Sequence, residues 1–167
     1  MNRRDLFIKW LFYSAASLLF VLIQCLLLNR LPIWGGVHPF LLPMVAVVPA
    51  MLERRNEGLL FALIFGFLCD MILPAAMPVT YTLSFLAAAL LAVLITGRLQ
   101  AGFPCALLCC ALSLLLCDLL QYLTFSQHMA PPLTALSIFG RELALSLPFS
   151  LLIFWLDRLI CRRKLEV

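Results

Sequence analysis

The sequence predicts an all-α polytopic membrane protein: a six-helix transmembrane bundle with both termini in the cytoplasm. Of the 167 residues, 65% are hydrophobic and only 12% are charged, which is too little polar material for the surface of a soluble domain. Six apolar segments cover most of the chain. Basic residues are concentrated in alternate connections between these segments, as expected for a protein with a fixed orientation in a membrane.

The predicted spans are residues 10–28, 39–52, 58–73, 79–96, 103–123 and 134–156, in a single transmembrane domain that covers residues 1–167. A spanning helix needs about 20 apolar residues, with a range of about 17–25. No small-residue cleavage site follows the first span, so we expect it to be a permanent helix and not a signal peptide. The second span is the shortest and contains Pro43 and Pro49, which favours a kinked crossing or a re-entrant segment.

The charge distribution predicts the orientation of the bundle. With six crossings and the N-terminus inside, Arg30 lies outside, Arg141 lies within the sixth span and ten bases lie in the cytoplasm. This asymmetry follows the positive-inside rule. The net charge of +4 then indicates contact with anionic membrane lipid, and we do not expect a nucleic-acid partner. The cytoplasmic bases are Arg3, Arg4, Lys9, Arg54, Arg55, Arg98, Arg158, Arg162, Arg163 and Lys164.

Polar side chains inside the spans form the candidate site. Counted at about 1.5 Å per residue, they lie about 18–23 Å from the cytoplasmic ends of their helices. Ionisable groups at such depth usually face a partner or a cavity, so we expect a buried polar cluster. The members are Asp70, Asp118, Arg141, Glu142 and Gln24. Because Arg141 is the base of the set, we expect its guanidinium to bind the carboxylate of Asp70 or Asp118.

Three interpretations of this cluster remain open. It can be a structural or partner-binding element, which fixes the register of the helices or shapes a groove for a partner helix. It can hold a substrate, an ion or a proton. It can also be hydrated at the outer interface without a specific partner. An acid not paired with Arg141 would be protonated, or would bond to Gln24, Gln121 or Tyr122.

Small residues at helical spacing predict close contacts between helices. Gly58, Ala62 and Gly66 recur every four residues and share a face with Asp70. Small residues let the backbones of membrane helices approach closely. A second stripe on the fourth span has the same spacing, and Glu142, Ser146 and Ser150 share a face of the sixth span. The second stripe is Ser84, Ala88, Ala92 and Thr96.

The sequence offers little for catalysis or metal binding. Its seven cysteines include no C-x-x-C pair and no neighbouring histidine, so we expect no metal, no cofactor and no disulfide framework. No nucleophile elbow, zinc-protease motif or phosphate loop is present. An aspartyl dyad of Asp70 and Asp118 would need a shared proton, which a nearby Arg141 disfavours. We therefore expect that the protein is not an enzyme.

Several short motifs follow one another along the chain. The first span ends in a segment that contains Gln24, "HPFLLPMVAVV" leads into the second span and "ERRNE" forms the inner turn. The aspartates follow in "GLLFALIFGFLCDMI" and "LSLLLCDLL", and the C-terminal tail is basic. In the order and spacing of these motifs, the chain resembles the rod shape-determining protein MreD family. The chain departs from the family at His38, where a basic residue is usual, and in the loop "PAAMP", which is usually polar and rich in glycine.

The resemblance implies a role in the bacterial cell-elongation machinery, or elongasome, at the cell membrane. Members of this family bind the single-pass protein MreC and connect the MreB filament to peptidoglycan synthases, without enzymatic activity. The resemblance therefore implies a partner-binding protein that maintains rod cell shape. The family also resembles the substrate-binding membrane subunits of energy-coupling factor vitamin transporters, so uptake of a vitamin is the alternative function.

Overall fold

The computed structural model describes residues 3–30, 35–53, 55–73, 79–99, 102–125 and 131–162. Within these ranges the protein is all-helical, as predicted, and has no β-strand. A short 3₁₀ helix, Leu28–Arg30, follows the first α-helix. The α-helices are α1 (Arg3–Leu26), α2 (Leu42–Leu52), α3 (Arg55–Ile72), α4 (Thr80–Thr96), α5 (Phe103–Phe125) and α6 (Pro132–Arg162).

The lengths and surfaces of the helices indicate a membrane protein. Three described segments are long and apolar enough to cross a membrane: Phe7–Arg30, Phe103–Thr124 and Pro132–Cys161. Many large apolar side chains lie on the outside of the bundle. Met71 and Trp155, for example, are each more than half exposed. Apolar surface of this extent would make a protein aggregate in water, whereas in a bilayer it faces lipid.

Consecutive helices run in opposite directions. Contacts join the end of α1 to the start of α2, through Gln24 and Leu41, and the start of α1 to the end of α2, through Lys9 and Glu53. We call the end of the bundle where α1, α3 and α5 end the Gln24 pole. The opposite end, where α1, α3 and α5 begin, is the Lys9 pole.

Helix α2 is the centre of the bundle. All its residues except the last are buried, and it packs against α1, α3, α4, α5 and α6. Pro43 lies in its first turn, where a missing N–H is tolerated, and Pro49 lies inside the helix. With 11 residues α2 is about 16 Å long, shorter than the membrane core. The helix begins three residues after the start of the predicted second span, because residues 38–41 are not helical.

Small residues of α3 lie against neighbouring backbones. A Cβ atom added to Gly58 would lie 2.5 Å from Cα of Ala50 in α2, and one added to Gly66 would lie 2.7 Å from Cα of Thr82 in α4. Ala62, between them, is fully buried. These distances leave no room for larger side chains, so the two glycines set how closely α3 approaches α2 and α4.

We predict that Gly66→Ala lowers the stability of the protein by about 1–3 kcal/mol, because the new methyl group would displace the backbone of α4. Gly140→Ala is the matched control, since nothing lies within 4 Å of a Cβ at Gly140 in α6. The control should be neutral, or stabilising by up to about 1 kcal/mol. Unfolding of both variants in detergent, followed by tryptophan fluorescence, checks this. Equal stability of the two variants would contradict the close-packing argument.

Candidate functional site

At the Gln24 pole, one glutamine side chain stabilises the non-helical backbone that leads into α2. The side-chain amide of Gln24 donates to the carbonyl oxygen of Pro39 over 2.9 Å and accepts from the N–H of Leu41 over 3.0 Å. It also donates to the side-chain oxygen of Asn29 over 2.7 Å. Unpaired backbone groups inside an apolar bundle are costly, so Gln24 replaces the bonds that a helix would have made.

Helix α6 contributes a second hydrogen bond to the same backbone segment. The N–H of Phe40 donates to Oγ of Ser146 over 2.8 Å, and Ser146 is fully buried. Ser150, one turn further along, donates instead to the carbonyl of Leu147 in its own helix. The polar face predicted for α6 thus binds α2's leading segment at Ser146, while Ser150 bonds within α6.

Asp70 caps helix α4 from the neighbouring helix α3. The residue before α4, Val79, has φ of +72° and supplies no side-chain cap. The carboxylate of Asp70 instead accepts from the backbone N–H groups of Tyr81 and Thr82, over 2.9 and 2.8 Å, and from the Thr82 hydroxyl over 2.6 Å. These amides belong to the first turn and have no partner within their helix. A negative charge there also interacts favourably with the helix dipole.

The predicted pairing of Arg141 is wrong. Asp70 is occupied by the start of α4, and neither Asp70 nor Asp118 forms an ion pair with Arg141. Arg141 is exposed rather than buried, and its Nη1 atom would lie 2.8 Å from a Cβ at Gly35. The helical spacing gave the correct pole for this side chain but not its direction around α6.

A polar pocket of about 390 Å³ opens at the Gln24 pole. Its walls include Gln24, Gln121 and Glu142 from three helices, together with His38 and Tyr81. Asp118 of α5 interacts electrostatically with Glu142. Asp118 is 4% exposed, and its Oδ2 atom has no hydrogen-bond partner among the described residues. Of the predicted cluster, Gln24 and Glu142 therefore line one pocket, and Asp118 is not part of its lining.

A second polar cluster, at the Lys9 pole, was missed by the sequence analysis. Nζ of Lys9 lies 2.6 Å from Oε2 of Glu53 and 3.5 Å from Oε2 of Glu57, so two carboxylates share one ammonium group. The Tyr13 hydroxyl donates to Oε1 of Glu53 over 3.1 Å. The side chains of Lys9 and Glu53 are only 7% and 1% exposed. This ion pair ties α1 to the end of α2.

Asp157 of α6 lies near this cluster. It is 4% exposed and interacts electrostatically with Glu53, but its Oδ2 atom has no hydrogen-bond partner among the described residues. The signal in the sequence was a lone acid within an apolar run, "FWLDRLI", at the end of the last span. Lys9 and Tyr13 also lie one turn apart on α1, which places both on one face.

An apolar groove of about 480 Å³ separates α1 from α3. At the Lys9 pole the helices meet through the rings of Trp10 and Phe61, whose centroids are 5.6 Å apart, and through the Lys9–Glu57 ion pair. Beyond these contacts the groove continues towards the Gln24 pole. Its lining residues are Trp10, Ser14, Ser17, Leu18 and Val21 of α1, and Glu57, Leu60, Phe61, Ile64, Phe65, Leu68, Cys69 and Ile72 of α3.

The described side chains do not assemble a metal centre. No group of three or more histidine, cysteine or acidic residues in this part of the chain could hold a metal ion. The seven cysteines are free thiols, and five of them are buried in the bundle. They therefore pack as small apolar side chains.

Comparisons of the chain with models of protein families, with curated proteins and with solved structures give no match.

We predict that Asp70→Ala destabilises the protein by about 1–3 kcal/mol, because it leaves two backbone N–H groups of α4 without an acceptor. Asp70→Asn should be intermediate, since one side-chain oxygen remains. Arg141→Ala is the control and should change stability by less than about 0.5 kcal/mol, because Arg141 is exposed and forms no ion pair with Asp70 or Asp118. Thermal unfolding in detergent measures all three, and a larger loss for Arg141→Ala would restore the ion-pair interpretation.

We predict that Lys9→Met lowers stability by about 3–5 kcal/mol, because the buried Glu53 carboxylate would lose the ammonium group 2.6 Å away. Adding Glu53→Gln to Lys9→Met should recover part of the loss, since the remaining side chain is neutral. Arg98→Met, at an exposed arginine of the same pole, is the control. A double-mutant cycle from detergent unfolding curves gives the coupling free energy of Lys9 and Glu53. A cycle without coupling would show that the pair is not a clamp.

Proposed function

We propose that this protein is an integral membrane component of the bacterial cell-elongation machinery. In this role it binds an MreC-like single-pass membrane protein and helps to maintain rod shape and lateral peptidoglycan synthesis. The ordered resemblance of its motifs to the MreD family supports this proposal. The chain acts by assembly and not by turnover, and it reaches the MreB filament and the peptidoglycan synthases through its partner.

The observation that carries the proposal is the apolar groove between α1 and α3. Its walls are apolar apart from two serines and Glu57, and Ser17 already donates to the carbonyl of Tyr13 in its own helix. A groove with few unsatisfied polar groups, open beside a membrane helix, suits another apolar helix. A single-pass partner would bury the exposed side chains along it.

We further propose that all six helices cross the cell membrane, with both termini and the Lys9 pole in the cytoplasm. The excess of basic residues in the corresponding connections supports this orientation. The central helix α2 is short, but residues 37–41 precede it as non-helical backbone. At about 1.5 Å per helical residue and at most about 3.3 Å per residue of the preceding segment, the two together reach up to about 30 Å, the thickness of the hydrocarbon core.

The polar pocket at the Gln24 pole favours a second candidate function. Its volume of about 390 Å³ falls within the usual range for small-molecule sites, and it is lined by carboxamide, carboxyl and hydroxyl groups. In the proposed orientation it opens to the outside. A substrate-binding subunit of an energy-coupling factor vitamin transporter would use a pocket at this position.

We predict that depletion of the protein gives rounded or widened cells without a vitamin requirement. Wild-type protein should restore rod shape and co-purify with an MreC-like partner. Ile64→Trp, which places a large ring in the groove, should restore neither. Leu83→Trp is the matched control, because Leu83 is also an exposed aliphatic residue but does not line the groove. Normal shape on depletion, together with a vitamin requirement, would favour the transporter instead.

A further inference from the structure

We propose that Glu57 selects the partner helix: the α1–α3 groove accepts a helix that carries Lys or Arg at its end on the Lys9 pole. This inference rests on the proposed function, since it concerns the same groove. It adds the chemical feature by which one single-pass helix would be recognised among the many apolar helices of a membrane.

The groove has the length of a transmembrane helix rather than of a small ligand. On α1 its lining extends from Trp10 to Val21, and on α3 from Glu57 to Ile72. At about 1.5 Å per residue these stretches measure about 17 and about 22 Å, most of the hydrocarbon core. The occupant is therefore an elongated apolar molecule that lies along the bundle.

The composition of the α1 wall favours a helix over a lipid chain. Ser14 and Ser17 place small side chains in the groove, where the backbone of a second helix can come close. On the α3 wall, the aliphatic side chains of Leu60, Ile64 and Leu68 are between 48% and 60% exposed. They provide the surface that a packed helix would bury.

The mouth of the groove at the Lys9 pole carries a partly exposed carboxylate. Glu57 lines the groove and keeps 34% of its side chain exposed. Its neighbour Lys9 is 3.5 Å away, but Lys9 is buried and lies closer to Glu53, at 2.6 Å. One ammonium group thus lies between two carboxylates. The exposed part of the Glu57 carboxylate can still accept a bond from a cation outside the bundle.

This charge disfavours an anionic phospholipid, because Glu57 would repel its phosphate. A single-pass helix commonly has Lys or Arg at its cytoplasmic end, the side proposed for the Lys9 pole. A charge-assisted bond from that residue to Glu57, at the edge of the membrane, would also fix the depth and register of the partner helix.

The test is reciprocal charge exchange in the full-length pair. Tagged variants of this protein are co-expressed with the MreC-like protein of the host, and the recovered partner is quantified. Glu57→Lys should lower recovery about tenfold, because the charge reversal turns the attraction for the partner's Lys or Arg into repulsion. Glu57→Lys combined with Lys or Arg→Glu at the cytoplasmic end of the partner helix should restore it. Asn56→Lys, one position away and outside the groove, is the control and should bind normally.

The outcomes separate this inference from the proposed function. Loss of the partner with Ile64→Trp but not with Glu57→Lys would overturn the charge selection and leave the proposed function standing. Recovery unaffected by both variants would overturn the groove as the binding site. If wild-type protein recovers no partner, and native mass spectrometry instead finds a phospholipid that Ile64→Trp displaces, both proposals fail.

Discussion

The structure depends on how a non-helical stretch of backbone is stabilised inside an apolar bundle. The central helix α2 begins only at Leu42, and the residues before it lie between α1 and α6 with backbone amide and carbonyl groups that no helix pairs. Lipid offers no hydrogen bonds, so side chains must supply them. Gln24 and Ser146 do so for the segment before α2, and Asp70 does so for the first turn of α4. These three side chains at the Gln24 pole thus bind backbone groups rather than charged side chains.

The same contacts explain why a groove can exist beside α1. Gln24 holds the end of α1 to the segment before α2, and Lys9 holds its start to the end of α2. Between these two attachments α1 needs no tight packing against α3, and the groove occupies the space between them. A helix fixed at both ends keeps its position while its middle surface remains open. That is a suitable arrangement for a protein whose proposed role is to bind another helix.

Sequence reasoning succeeded for the features that follow from the length and periodicity of helices. Apolar segment length predicted six helices, and counting along the helices placed Gln24 and Glu142 at one pole, where they line the same pocket. Sequence reasoning failed where the hydrogen-bond partner of a side chain is a backbone group. Nothing in the pattern shows that α2 starts late, so the partners of Gln24 and Asp70 could not be anticipated and Arg141 was the obvious choice. Lys9 and Glu53 were counted only as charges of the cytoplasmic connections, because their burial depends on how α1 meets α2.

The shortness of α2 has a consequence for biogenesis. Newly made membrane segments partition into lipid one by one or in small groups, and a segment of 11 helical residues with two prolines is a poor substrate for independent partitioning. The backbone groups of its non-helical leading segment also lack hydrogen-bond partners in lipid until Gln24 and Ser146 supply them. Ser146 is made more than 90 residues after α2, as the last helix emerges. We therefore expect the burial of α2 to be completed late, after α6 has been synthesised.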